Sequence, residues 1–172
     1  ELQDPAGTVL QDGVDYIKAI KQDDGSYTAS TMDTSAAVLY EVRVICREGS
    51  GSIVVTDDGA VYKGARLKDA TVEDNGDGTY TVTFTKDGSG HAYLYFAKTV
   101  ENIPEGGQAT VSNTAVVGGE PAPGEDVTIL QGETYRVTYE QEGVWWPNGE
   151  YPPIDNKLYR EGDLVEVSDK YY

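Results

Sequence analysis

Apolar and polar residues alternate along much of this chain in short runs, and each run is closed by Gly, Asp or Asn. A period of two is that of a strand with one buried face. It predicts strands over residues 15–20, 27–31, 38–46, 52–57, 70–73, 79–85, 91–98 and 109–117. Strands of that number and spacing predict an all-β fold, an immunoglobulin-like β-sandwich. The sharpest punctuation is Asp74-Asn75-Gly76-Asp77-Gly78, where Asn and Gly supply the positive φ of a tight hairpin. Read as a calcium loop, the same stretch would put Phe84 where the bidentate Glu belongs, so it is a turn.

Periodicity stops at Gly118-Gly119-Glu120-Pro121-Ala122-Pro123-Gly124-Glu125-Asp126, a stretch of Gly, Pro and acid that reads as a linker. The expected organisation is a sandwich over residues 1–118, a linker over 119–126 and a small β module over 127–172 with strands near 135–139 and 164–167. A module so short is marginal alone without a disulfide or metal, so it either docks on its neighbour or is cut short.

Composition narrows the function. Lys and Arg total 13 against 30 Asp and Glu, a net charge of −17, which repels nucleic acid and an anionic membrane surface. No apolar run reaches the ~20 residues of a membrane span, so membrane insertion is not expected. Cys46 is alone, which excludes an intramolecular disulfide and a Cys-based metal site; it shares a face with Val42 and Val44, the setting of an inert buried thiol. His91 is the one histidine, so a His-based triad and a multi-histidine zinc site are both excluded. No metal site, cofactor or enzymatic activity is expected. Glu1 is not an initiator Met, which fits a processed or excised piece whose export and anchoring signals lie elsewhere.

Three polar residues fall on faces that alternation assigns to the core. Lys18 shares a face with Tyr16 and Ile20, Asp57 with Ile53 and Val55, and Asn113 with Val111 and Ala115. A register shift would replace Lys18 by Lys21 and Asp57 by Asp58. A buried ion pair and an Asn bonded to backbone form the plainer alternative.

The runs Tyr16-Ile17-Lys18-Ala19-Ile20-Lys21, Val38-Leu39-Tyr40-Glu41-Val42-Arg43-Val44, Ile53-Val54-Val55-Thr56-Asp57 and Val111-Ser112-Asn113-Thr114-Ala115-Val116, in that order, resemble the landmarks of isopeptide-forming, collagen-adhesin-type domains of Gram-positive pilins and adhesins. The resemblance implies a self-made amide bond between Lys18 and Asn113, with Asp57 handling the proton. Burial favours the uncharged forms of Lys and Asp, so the amine becomes a nucleophile and the acid polarises the Asn113 carbonyl. Residues 135–167 are similar to the first half of the SHIRT and internalin B-repeat type of β-grasp module. Together these imply a non-catalytic structural or adhesive stalk segment of a secreted, cell-wall-anchored bacterial surface protein, with other domains of the same protein or fibre as partners. The other reading is a module that binds host glycan or protein. Trp145, Trp146 and Tyr151 would then form the sugar platform, unless they serve the core of their own module.

Overall fold

The computed structural model describes residues 16–85, 89–137 and 157–165. Among them the chain is all-β, with twelve strands and no helix. In order these are β1 (Ile20–Lys21), β2 (Tyr27–Thr31), β3 (Ala36–Cys46), β4 (Gly51–Thr56), β5 (Val61–Lys68), β6 (Ala70–Asp74), β7 (Thr79–Phe84), β8 (Gly90–Val100), β9 (Gln108–Val111), β10 (Thr114–Val117), β11 (Glu120–Pro123) and β12 (Val127–Gln131).

The spine is the pair β3 and β8, eleven residues each, antiparallel from Ala36 opposite Val100 to Cys46 opposite Gly90. With β5 on the far side of β8 they form one sheet, β3-β8-β5. Alternation sends Ala36, Val38, Tyr40, Val42 and Val44 of β3 to one face, and two different sheets share that face lengthwise. The five-stranded sheet β11-β10-β4-β7-β6 covers Val42 and Val44 through Val55, Val82, Phe84 and Ala115. The four-stranded sheet β1-β2-β12-β9 covers Val38 and Tyr40 through Ala29, Val111, Val127 and Ile129. The result is a sandwich, compatible with an immunoglobulin-like arrangement. Opposed sheets that interdigitate alternate side chains are the standard way for such strands to share one core.

The Asp74–Gly78 stretch is the expected hairpin between β6 and β7. Gly76 and Gly78 adopt φ of 78° and 85°, and Asp74 Oδ1 accepts the Gly76 amide at 2.8 Å. Asp77 Oδ1 accepts both the amide and the hydroxyl of Thr79, at 3.0 and 2.6 Å. These bonds hold the Asp77 carboxyl below its usual range.

From residue 109 onward three features differ from the expected layout. The strand expected over 109–117 is two strands, because β9 belongs to the β12 sheet and β10 to the β4 sheet; the chain changes sheets at Ser112–Asn113. The stretch expected to be a linker contains β11, which folds back on β10 from Thr114 opposite Pro123 to Val117 opposite Glu120. Beyond it, the first residues of the expected second module are β12, which lies between β2 and β9 with Val127 and Ile129 fully buried in the sandwich core. Of the remainder, residues 138–156 and 166–172 lie outside the described residues, while Tyr135 and Tyr159 form an antiparallel bridge.

Candidate functional site

The point where the chain changes sheets is also where polar groups are buried. Asp57 follows the last residue of β4, and Asn113 precedes the first residue of β10. Because β10 runs antiparallel to β4 with Val116 opposite Thr56, the two side chains come together at the same end of this pair. Each residue is 5 % exposed, and Asn113 Nδ2 donates to Asp57 Oδ2 at 2.8 Å. Two of the three sequence-predicted site residues are therefore neighbours in the core.

Gly124 and Tyr40 close the pocket around the pair. The Gly124 amide donates to the Asn113 carbonyl at 2.9 Å, and a Cβ on Gly124 would stand 3.1 Å from the Tyr40 ring, so the chain passes this point only as glycine without displacing the ring. The Tyr40 hydroxyl lies 3.4 Å from the carbonyls of both Val111 and Glu125. Burial, reinforced by the charges of Asp126 and Asp57, pushes the Tyr40 phenol up to about 12. The hydroxyl therefore keeps its proton at neutral pH and serves as a donor. Beside Asn113 a groove of about 180 Å³ runs between the edge of β3, at Tyr40 to Arg43, and the β10–β11 hairpin.

Asp57 Oδ1 and Asn113 Oδ1 are buried acceptors that receive no hydrogen bond among the described residues. Orphaned buried acceptors are rare and costly, about 1–3 kcal/mol each. A proton on Asp57 converts one of them into a donor, and burial favours that proton: desolvation raises the Asp57 pKa, against the opposing effects of the Asn113 bond and the Lys98 charge. An amine or ammonium placed against the pair would satisfy the other.

Lys18 does not occupy that place. The expectation that it faces the core is corrected: its side chain is exposed, while Ile17 and Ala19 pack against the core beneath the β1-β2-β12-β9 sheet and Tyr16 packs against Leu39, Tyr95 and Ala97. The physical reason is the phase of residues 16–19. Their backbone is held to β3 by the Tyr16–Ala37 bridge and the Ile17 amide on the Ala37 carbonyl, which seat Tyr16 on the face turned away from the core; alternation therefore runs in the opposite phase to the one expected, with Ile17 and Ala19 inward and Lys18 outward. The alternative Lys21 lies at the end of β1 with its ammonium 5.8 Å from the Tyr27 ring centre, and Asp58 is exposed.

The cation that Asp57 does sense is Lys98 on β8. Lys98 stands opposite the fully buried Val38, hence on the core face, and its Nζ donates to the Ser112 carbonyl at 2.7 Å, one residue from Asn113. A signal for it was present in the sequence, since Lys98 continues the buried series Ala92, Leu94, Phe96 at a spacing of two.

Trp145, Trp146 and Tyr151 lie outside the described residues. Cys46 is partly buried against the core, with its Sγ 3.3 Å from the Gly49 carbonyl. Among the described residues no group of three potential metal ligands converges.

One expectation concerns pH. An Asp whose folded pKa is raised binds a proton more readily folded than unfolded, so its contribution to stability is present below the unfolded value and is lost as pH rises through the folded one. The other carboxylates titrate in both proteins, so the difference between wild type and Asp57→Asn isolates this group. The substituted protein is expected to gain stability relative to wild type as pH rises from about 4 to neutrality. Urea midpoints across that range measure it, and a constant difference would show that Asp57 is not destabilised as an anion.

No protein-family model matches the chain, and no curated protein matches it.

Proposed function

We propose that the chain is a non-catalytic structural segment of a bacterial cell-surface protein whose sandwich is tied by a self-formed amide at Asn113. The observation that carries this is the Asp57–Asn113 pair, 5 % exposed on each side and left with two unsatisfied oxygens that an amine and a single proton would complete. In the reaction a lysine Nζ bonds to Asn113 Cγ, the Cγ–Nδ2 bond breaks, and Nδ2 leaves as ammonia. The protons move through Asp57, which ends as it began. No cofactor enters, and the acceleration comes from holding the reactants together as the fold closes. A secreted sandwich with one cysteine gains from such a tie what others gain from disulfides.

The resemblance of the first strand to isopeptide-forming domains assigns the amine to Lys18, which requires residues 16–19 to turn so that Lys18 exchanges places with its inward neighbours. The position of Lys98, on the core face and bonded beside Asn113, favours a second reading in which Lys98 is the donor. Intact mass of denatured protein tests the proposal: the tied chain is one ammonia lighter than its sequence. A Lys18→Ala or Lys98→Ala substitution restores the full mass for whichever lysine reacts. Full calculated mass in folded wild-type protein refutes the tie and leaves an ordinary buried polar pair.

A further inference from the structure

The face of the β3-β8-β5 sheet turned away from the core gathers basic residues, in contrast to the chain's net charge of −17. Arg43 on β3, Tyr93 on β8 and Arg66 on β5 stand side by side across the three strands. The guanidinium carbons of Arg43 and Arg66 lie 5.4 and 4.9 Å from the Tyr93 ring centre. The next row of the same face is Ile45, His91 and Lys68, and the His91 ring stacks on Tyr93 at 4.5 Å with 15° between the planes. Arg43, Ile45, Arg66 and Lys68 are exposed, whereas His91 and Tyr93 are half-buried.

We infer that this face binds an acidic saccharide, a sugar chain bearing carboxylate or sulfate, through Arg66, Lys68 and Arg43 around the His91–Tyr93 stack. Charge is the first argument. In a chain of net charge −17, three of the 13 basic residues and the sole histidine occupy two adjacent rows of one sheet. Among the described residues of β3, β5 and β8, Glu41 is the carboxylate turned to the same face beside these rows; it is buried, accepts the Tyr95 hydroxyl at 2.7 Å and binds Arg43 Nε. Glu41 thus fixes Arg43 against Tyr93, while the exposed rows beyond it carry cations.

Preorganisation is the second argument. Guanidinium groups held over a ring have lost much of the rotamer freedom that an anion would otherwise have to remove, and arginine presents a planar fork suited to carboxylate and sulfate. The shape of the surface selects the class of ligand. Stacked His91 and Tyr93 rings beside an exposed Ile45 suit the apolar face of a pyranose. A long phosphate backbone is disfavoured by the net charge of −17, and an extended acidic peptide would be expected at a strand edge rather than across a face. The inference does not depend on the tie at Asn113, because none of its residues touches that pair.

The test is a titration of the full chain at low salt, about 20 mM, where exposed charges are least screened. The probes are a short heparin oligosaccharide, a hyaluronan oligosaccharide and a neutral cello-oligosaccharide, with polyglutamate as the acidic peptide. His91 is the sole histidine, so its ring-proton resonance reports the site directly. Expected results are binding of at least one of the two acidic sugars with a shift of the His91 signal, little response to the neutral sugar, and affinity about tenfold lower for each of Arg66→Ala and Lys68→Ala. Heparin bound and hyaluronan not would identify sulfate as the recognised group; both bound alike would identify the carboxylate they share. Both side chains are exposed, so the variants keep the fold, which the circular dichroism spectrum checks. Absence of binding by either acidic sugar, affinity unchanged in both variants, or equal binding of polyglutamate would overturn the inference.

Discussion

Substituting Ile129→Ala is expected to cost about 2–5 kcal/mol of stability, and a chain ended at residue 118 is expected not to fold cooperatively. Ile129 and Val127 are fully buried, in a strand placed between β2 and β9. Removing the Ile129 side chain opens a cavity among Ala29, Val38, Ile103 and Val111, neighbours on four other segments that cannot collapse together to fill it. Ending the chain at 118 deletes β12 altogether, which separates β2 from β9 and leaves their backbone groups and the lower half of the β3 face without a cover. Urea unfolding followed by circular dichroism measures both effects. Leu164→Ala is the control: at 93 % exposure its removal should change stability by less than about 0.5 kcal/mol. If the shortened chain unfolded with the wild-type midpoint, β12 would be peripheral to the sandwich.

That prediction falls where the sequence was hardest to read. Strands with a long, uninterrupted period of two were legible: β3, β4, β7 and β8 lie close to their expected spans, and the β6–β7 hairpin is set by local side-chain bonds that its own residues declare. β5 was hidden because a bulge between Tyr62 and Gly64 shifts the phase of alternation in its middle, so that neither half is long enough to register. β11 has the composition of a linker, with Pro121 and Pro123, yet it is an edge strand, where a residue lacking an amide proton is tolerated. β12 shows only Val127 and Ile129 in alternation, and its partner β2 lies far back along the chain and parallel to it, a pairing that no local pattern encodes. Of the site, Asp57 and Asn113 were legible because both sit at strand ends whose alternation is intact. Lys18 is misplaced because Tyr16, which sets the phase of alternation there, packs against Leu39, Tyr95 and Ala97 on the face turned away from the core, while the inward face of Lys98 is legible from the series Ala92, Leu94, Phe96 and only its nearness to Asn113 requires the fold.

Lys18→Ala is expected to separate a tied sandwich from an untied one. An exposed lysine whose role ends at its own surface changes stability by no more than about 0.5 kcal/mol when truncated. If instead Lys18 is bonded to Asn113, its loss frees an unfolded-state loop of about 95 residues, worth about 4–5 kcal/mol by the loop-closure relation used for disulfides. For a chain of 172 residues that corresponds to a fall in Tm on the order of 10–20 °C. A tie to Lys98 would close only about 15 residues and contribute about 3 kcal/mol, so Lys98→Ala would show the smaller fall, together with roughly 1 kcal/mol for the lost bond to the Ser112 carbonyl. The larger effect in Lys18→Ala, with full mass restored, identifies the first strand as the one joined and requires that residues 16–19 rotate before reaction. The effect confined to Lys98→Ala, again with full mass restored, places the tie between β8 and the start of β10. Full calculated mass in wild type and in both variants, with the small losses of an exposed side chain and a single hydrogen bond, would mean that the Asp57–Asn113 pair is held by packing alone and that its orphaned oxygens are satisfied by water entering from the groove beside β11.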